Sequence, residues 1–236
     1  MYDPLYDDMF LMAPQESLPH WWQQAEPIWV TAERSGAKVA MFWWDGCQIS
    51  IRGERPTSCL QYRSSIGAPE IRATLLSSVA RLQAGEFQMA MVYVENVDHA
   101  GHVYGPNSPE RIQAWRELDS AIYDTLESAP SDITVIVLAD HGMADRANLT
   151  FIEISRAVDA NDIKLMLYGG ATAGLIPKNG RRDKVYQDLV NARFPGLKFF
   201  KKEDIPERYH IKHNRLTPPI VLIADKGYSI MSVSSV

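Results

Sequence analysis

Charge of one sign, cysteine and long apolar runs are all scarce in this sequence, and each scarcity closes off a class of function. Lysine and arginine total 24 and aspartate and glutamate 29 of 236 residues, mixed along the chain without a block of either sign, for a net charge of -5. A nucleic-acid duplex is held by a concentrated basic face that displaces counterions from the phosphates, so no such partner is expected. No apolar stretch approaches the roughly 20 residues that span a bilayer, so no membrane span is expected either. The opening Met1-Tyr2-Asp3-Pro4 lacks the basic, apolar and small-residue succession of an export signal, and compartment is not encoded in these residues. Cys47 and Cys59 are the two cysteines, too few for a disulfide framework in a chain this long, which leaves both a pair and two free thiols open.

What remains is the profile of a globular protein, 46% hydrophobic, 22% charged and 10% aromatic, long enough to bury a substantial core. Trp21, Trp22, Trp29, Trp43 and Trp44 crowd the first 60 residues, which read as packed structure and not as a linker. Pro27 opens a short helix over 28–35 with Gly36 as its stop, and an apolar strand follows over 38–43. Pro69 opens a second helix with Ile71, Leu75, Val79 and Leu82 at helical spacing and Gly85 at its end, before a nearly continuous apolar run over 87–94. The order repeats as a helix over 108–128 and a second apolar run over 134–139. Helix alternating with strand predicts the α/β class, a mostly parallel sheet flanked by crossover helices. Farther on the pattern loosens: a short helix over 151–158, strands over 164–167 and 172–176, a helix over 182–194 and a strand over 219–224. That stretch reads either as continued sheet of a single domain or as a smaller lobe near 145–215.

Chemistry concentrates just past the carboxyl ends of two predicted buried strands, where α/β proteins place their sites. One cluster is Tyr93-Val94-Glu95-Asn96-Val97-Asp98-His99-Ala100-Gly101-His102-Val103-Tyr104-Gly105-Pro106, and the other is Asp140-His141-Gly142-Met143. Carboxylate and imidazole suit zinc, and a mixed set leaves room for water or substrate that a sulfur-closed structural site does not. Asp98 and His102, four residues apart, can meet one ion from a single turn, whereas adjacent Asp140 and His141 can do so only from an irregular loop that Gly142 permits. A strand-end aspartate is often only a cap, and an Asp-His pair often does no more than face water. Two such clusters on one predicted sheet are harder to dismiss.

The pattern Tyr-x-x-x-x-Asp-x-x-Gly-His-x-x-Gly-Pro, followed by an apolar strand and Asp-His-Gly-Met, resembles the nucleotide pyrophosphatase/phosphodiesterase family of the alkaline phosphatase superfamily. The resemblance extends over nearly the whole chain, from Trp21-Trp22 and the segment from Glu26 to Glu33, through Phe42-Trp43-Trp44-Asp45-Gly46, to Asn214-Arg215-Leu216 and Ala224-Asp225-Lys226-Gly227-Tyr228. It implies an alkaline-phosphatase-like core and a two-zinc hydrolase in which a threonine attacks a phosphodiester or pyrophosphate and water releases the nucleotidyl intermediate. Carried over, Asp98 and His102 would hold one zinc and Asp140 and His141 the other, and Tyr93 matches the position whose ring lies against the base. The substrate implied is a small nucleotide or related phosphodiester, and family members are commonly exported.

The resemblance also implies groups with no match among these residues: a strand-end aspartate, the threonine nucleophile and an asparagine before the segment matching Met1, and a third histidine after that matching Tyr228. Smaller departures are Val97, where proline is frequent, and Ala139, where serine is usual. The expectation is therefore the central part of a phosphodiesterase catalytic domain, incomplete at both ends and nearly inactive alone. Two rivals stand beside it: a catalytically dead zinc- or nucleotide-binding module, and a phosphomonoesterase of the same superfamily.

Overall fold

The computed structural model of the protein describes residues 1–10, 18–145 and 148–231. The chain divides into two compact units, one of residues 1–9 with 146–236 and the other of residues 10–145. The first begins with a small antiparallel hairpin, β1 (Tyr2–Asp3) against β2 (Asp8–Met9).

The unit of residues 10–145 is built around a parallel sheet. Helix α1 (Ile28–Arg34) starts after Pro27 in extended conformation and gives way, through Ser35 and a left-handed Gly36, to β3 (Val39–Phe42). Strand β3 lies between β4 (Ser58–Leu60) and, beyond α2 (Ala68–Gln83), β5 (Met89–Val92), with both pairings parallel. Alternation along β3 sends Val39 and Met41 into a core with Trp29 and Val30 of α1, Cys47 and Ile51. Phe42 packs with a second core made by Trp43, Ile66 and Ile71. Both faces of β3 are thus covered, which is why its residues read as an unbroken apolar run. Helices α3 (Asn96–Tyr104) and α4 (Pro109–Ser128) follow, and the Ser108 hydroxyl caps α4 by accepting the Arg111 amide at 3.1 Å. The question left open by the two cysteines is answered: Cys47 and Cys59 form a disulfide with Cα atoms 5.6 Å apart.

The 134–139 segment corrects the sequence-based expectation. Its residues form no strand among the described residues, and Ile136 and Leu138 are 74% and 86% exposed. An apolar run marks a segment suited to burial between helices. Whether a neighbouring strand is there to pair with is a non-local matter on which periodicity is silent.

In the unit of residues 1–9 and 146–236, the expected helix over 151–158 is instead β6 (Thr150–Glu153) and a single 3₁₀ turn, Ile154–Arg156. Here the strand period wins: Ile152 is buried while its neighbour Phe151 is exposed. Next come β7 (Ile163–Leu167), β8 (Thr172–Pro177), α5 (Arg182–Ala192), β9 (Leu197–Lys201), β10 (Ile220–Ala224) and β11 (Tyr228–Met231). Strands β7, β8, β10 and β9 form an antiparallel sheet in that order, and β11 pairs in parallel with β6. A mostly parallel sheet therefore describes one unit and not the other. Val185 and Leu189 of α5 bury against Leu175, Ile220 and Leu222 of the sheet. Among the described residues no helix is long and apolar enough to cross a membrane.

Candidate active site

Because β3, β4 and β5 run parallel, their carboxyl ends share one edge, and each delivers an aromatic ring to it. Tyr93 follows β5 directly, its amide donating to the Phe42 carbonyl at 3.1 Å. Trp44 comes two residues after the end of β3, and Tyr62 two residues after the end of β4. Tyr93 stands between them, its ring centroid 6.0 Å from Trp44 in an edge-on arrangement and 6.2 Å from Tyr62. The turn that presents Trp44 needs a left-handed backbone at the fully buried Trp43, and Gly46 lies so close beneath the Trp22 ring that a Cβ there would fall 2.6 Å from it.

A carboxylate accompanies the rings. Tyr62 donates its hydroxyl to Glu95 at 2.7 Å, and that hydrogen bond, followed by burial, pushes the phenol up to about 12. Tyr93 is shifted upward too, first by burial and then by Asp140, Glu95 and Asp98. Both phenols therefore stay protonated at neutral pH and can donate.

The predicted metal-ligating residues all fall in this same unit. Asp98 and His102 lie one turn apart on α3, with His102 Nε2 3.4 Å from Asp98 Oδ1. Asp98 Oδ1 is buried yet accepts no hydrogen bond among the described residues. Asp140 and His141 sit on the loop after the exposed segment, with His141 Nε2 3.5 Å from Asp140 Oδ2 and the His141 amide donating to Asp140 Oδ1 at 3.0 Å. The His141 Nδ1 lies 2.8 Å from the Gly142 carbonyl. A carbonyl can only accept, so this bond places the proton on Nδ1 and leaves the Nε2 lone pair for a cation. The same bond, and then Asp140 and Asp98, raise the His141 pKa. The two pairs feel each other: Asp98 acts on His141, and Met143 of the second motif packs on the bare face of α3 at Gly101.

These donors fit zinc in kind, a carboxylate and an imidazole in each pair, one oxygen without a hydrogen bond and one nitrogen with a free lone pair. The pairs stay separate, however: among the described residues no group of three or more His, Cys, Asp or Glu side chains is gathered as a metal site. Sequence reasoning singled out Tyr93 but not the companions that make it part of a cluster, Trp44, Tyr62 and Glu95. The available signal was an aromatic residue just past each of three strands, legible for Trp44 but hidden for Tyr62 because β4 is too short to recognise.

Residues 1–235 match the family described as type I phosphodiesterase/nucleotide pyrophosphatase. The chain is 29% identical over 247 residues to human ectonucleotide pyrophosphatase/phosphodiesterase family member 5, covering all of this chain and 50% of that protein. It is 28% identical over 242 residues to the bis(5'-adenosyl)-triphosphatase enpp4 of Xenopus laevis, covering all of this chain and 52% of that one. Murine ectonucleotide pyrophosphatase/phosphodiesterase 5 superposes over the whole chain and 64% of its own length, with a TM-score of 0.86 at 29% identity. An inactive threonine-to-alanine variant of that murine protein, in complex with AMP, gives a TM-score of 0.81 at 27% identity, over the whole chain and 63% of its own. The chain thus spans about half the length of the relatives it matches in sequence.

Proposed function

Since the chain belongs to the type I phosphodiesterase/nucleotide pyrophosphatase family, we propose that it forms the nucleotide- and metal-binding part of a zinc-dependent hydrolase acting on nucleotide diesters or related phosphodiesters. The observation that carries this reading is that one unit holds two Asp–His pairs together with an aromatic cluster that stands at the carboxyl edge of its parallel sheet. Asp98 and His102 would hold one zinc ion, and Asp140 and His141 the other. Zinc held there would supply Lewis-acid stabilisation of the charge on a phosphoryl group.

The chain's own residues have separate tasks. Gly142 fixes the His141 tautomer through its carbonyl. Tyr93, with Trp44 and Tyr62 on either side, offers a planar apolar surface for a base, and a base stacked on one ring contributes about 1–3 kcal/mol. Glu95 holds the Tyr62 ring in place through its hydroxyl. The name of the relative that hydrolyses bis(5'-adenosyl) triphosphate and the AMP complex of another support an adenine nucleotide as substrate class.

No threonine of residues 1–236 stands in the context the family resemblance implies for the nucleophile, so turnover by these residues alone should be close to nil. The test compares a nitrophenyl nucleotide diester with nitrophenyl phosphate, using zinc-loaded protein that carries the complete catalytic domain. Hydrolysis of the diester supports the proposal, and preference for the monoester points to the phosphomonoesterase. AMP binding with neither activity points to a dead binding module.

A further inference from the structure

We propose that the Cys47–Cys59 disulfide is a positioning device for the Tyr62 ring, so that its reduction loosens the hold on a planar base while leaving Tyr93 and the two Asp–His pairs in place. This rests on the nucleotide reading of the aromatic cluster given above.

The two ends of the disulfide differ in how firmly the fold holds them. Cys47 is 1% exposed and packed among Trp29, Val39, Met41 and Ile51, in a turn closed by its amide to the Trp44 carbonyl at 3.4 Å. Cys59 is the middle residue of β4, a three-residue strand at the sheet edge whose last two positions are exposed. So short an edge strand buries too little surface to hold itself. The approach to β4 is anchored at Thr57, whose amide and hydroxyl both donate to Glu33, at 2.6 and 2.9 Å. Past Cys59 the Trp43 amide donates to the Leu60 carbonyl at 2.6 Å, and two residues after Leu60 the chain presents Tyr62, whose hydroxyl donates to Glu95. The disulfide is therefore the last covalent tie between a firmly packed part of the core and the strand that carries this ring.

The other site groups do not depend on it. Tyr93, Asp98 and His102 follow β5, which pairs with β3 on the side away from β4, and Asp140 and His141 follow α4. Reduction would be an ordinary exchange: a thiolate reductant attacks the sulfur of Cys59, the partner that lies on the edge strand, and expels the Cys47 thiolate. A second reductant thiol then releases Cys59, leaving two cysteine thiols and one reductant disulfide.

The test titrates AMP by calorimetry into zinc-loaded protein that carries the complete catalytic domain, oxidised, reduced, and as Cys59→Ser, Tyr62→Ala and the double variant, with amide hydrogen exchange on the oxidised and reduced forms. Breaking the bond should weaken AMP about tenfold, the size of one lost base–ring stack. Tyr62→Ala should cost as much, and the double variant no more than either. Exchange should quicken over residues 57–62 and stay unchanged over 89–104. Equal affinity with and without the bond, additive losses in the double variant, or faster exchange across both segments would each overturn the proposal. If the oxidised, unaltered protein binds no AMP, the nucleotide reading itself fails, an outcome distinct from all of these.

Discussion

Met143 occupies the space that a side chain on Gly101 would need: a Cβ built there would lie 2.0 Å from the Met143 Sδ and 2.8 Å from its Cε, with Arg111 Cδ at 3.1 Å. A glycine inside a helix costs about 1 kcal/mol relative to alanine. Here that cost is offset by letting the loop with Asp140 and His141 lie against the helix with Asp98 and His102. The glycine of one motif and the methionine of the other thus form the clasp between them. Gly101→Ala should push the flexible methionine aside, displacing the loop while the helix itself gains propensity. The expected result is zinc affinity lower by about tenfold with little change in melting temperature, read by calorimetry and thermal unfolding. Unchanged affinity would mean that the loop has another anchor.

The assignment of the second pair is tested more directly by Asp140→Asn in protein that carries the complete catalytic domain. An amide keeps the shape and the hydrogen bond to the His141 amide but removes the charge that a divalent cation requires. Hydrolysis of a nitrophenyl nucleotide diester should fall on the order of a hundredfold or more, with zinc content reduced. Normal turnover at full zinc content would show that Asp140 is not a ligand.

How much of this was legible in the sequence depended on whether the cause was local. Helices α1, α2 and α4 and strands β3 and β5 announce themselves through proline starts, glycine stops and apolar spacing, all features of neighbouring residues. The placement of Asp98 and His102 one turn apart was legible for the same reason, since a four-residue spacing needs only a single helical turn. Strand β4 was not: three residues carry no periodicity, and both its pairing and its disulfide depend on residues brought near by the fold. With β4 hidden, Tyr62 could not be joined to Tyr93. The helix expected over 151–158 failed because the parallel partner that makes it a strand, β11, lies far along the chain.

A buried carboxylate in the other unit sets a pH dependence. Asp162 is 7% exposed, with Lys184 Nζ 2.9 Å from Oδ2 and Arg181 Nε 3.2 Å from Oδ1. The hydrogen bond from Lys184, and then the charges of Lys184, Arg181 and Lys178, hold its carboxyl below the usual 3.8, while Lys184 is pushed up to about 12. A lowered carboxyl pKa stabilises the fold at pH above the unfolded value, and this contribution is lost as pH falls through the folded one. The raised lysine contributes below its unfolded value and loses this only as pH rises through about 12. Asp162→Asn should therefore melt at a lower temperature than the unaltered chain at pH 7, with the difference shrinking toward pH 3. A difference that stays constant between those pH values would show that the ion pair is not its source.

The exposed apolar segment gives the sharpest contrast between what a sequence suggests and what a fold does with it. Val135, Ile136, Val137 and Leu138 have the composition of a central strand, and in such a strand Leu138→Ser would cost several kcal/mol through lost burial and an unsatisfied hydroxyl. At 86% exposure Leu138 has almost no burial to lose, and its segment makes no strand pairing among the described residues. The substitution should then change the unfolding free energy of the 236-residue chain by no more than about 0.5 kcal/mol, with the amides of 134–139 exchanging rapidly in the unaltered chain. A loss of 2 kcal/mol or more, with slow exchange, would place this segment inside a sheet after all and restore the expectation drawn from its composition.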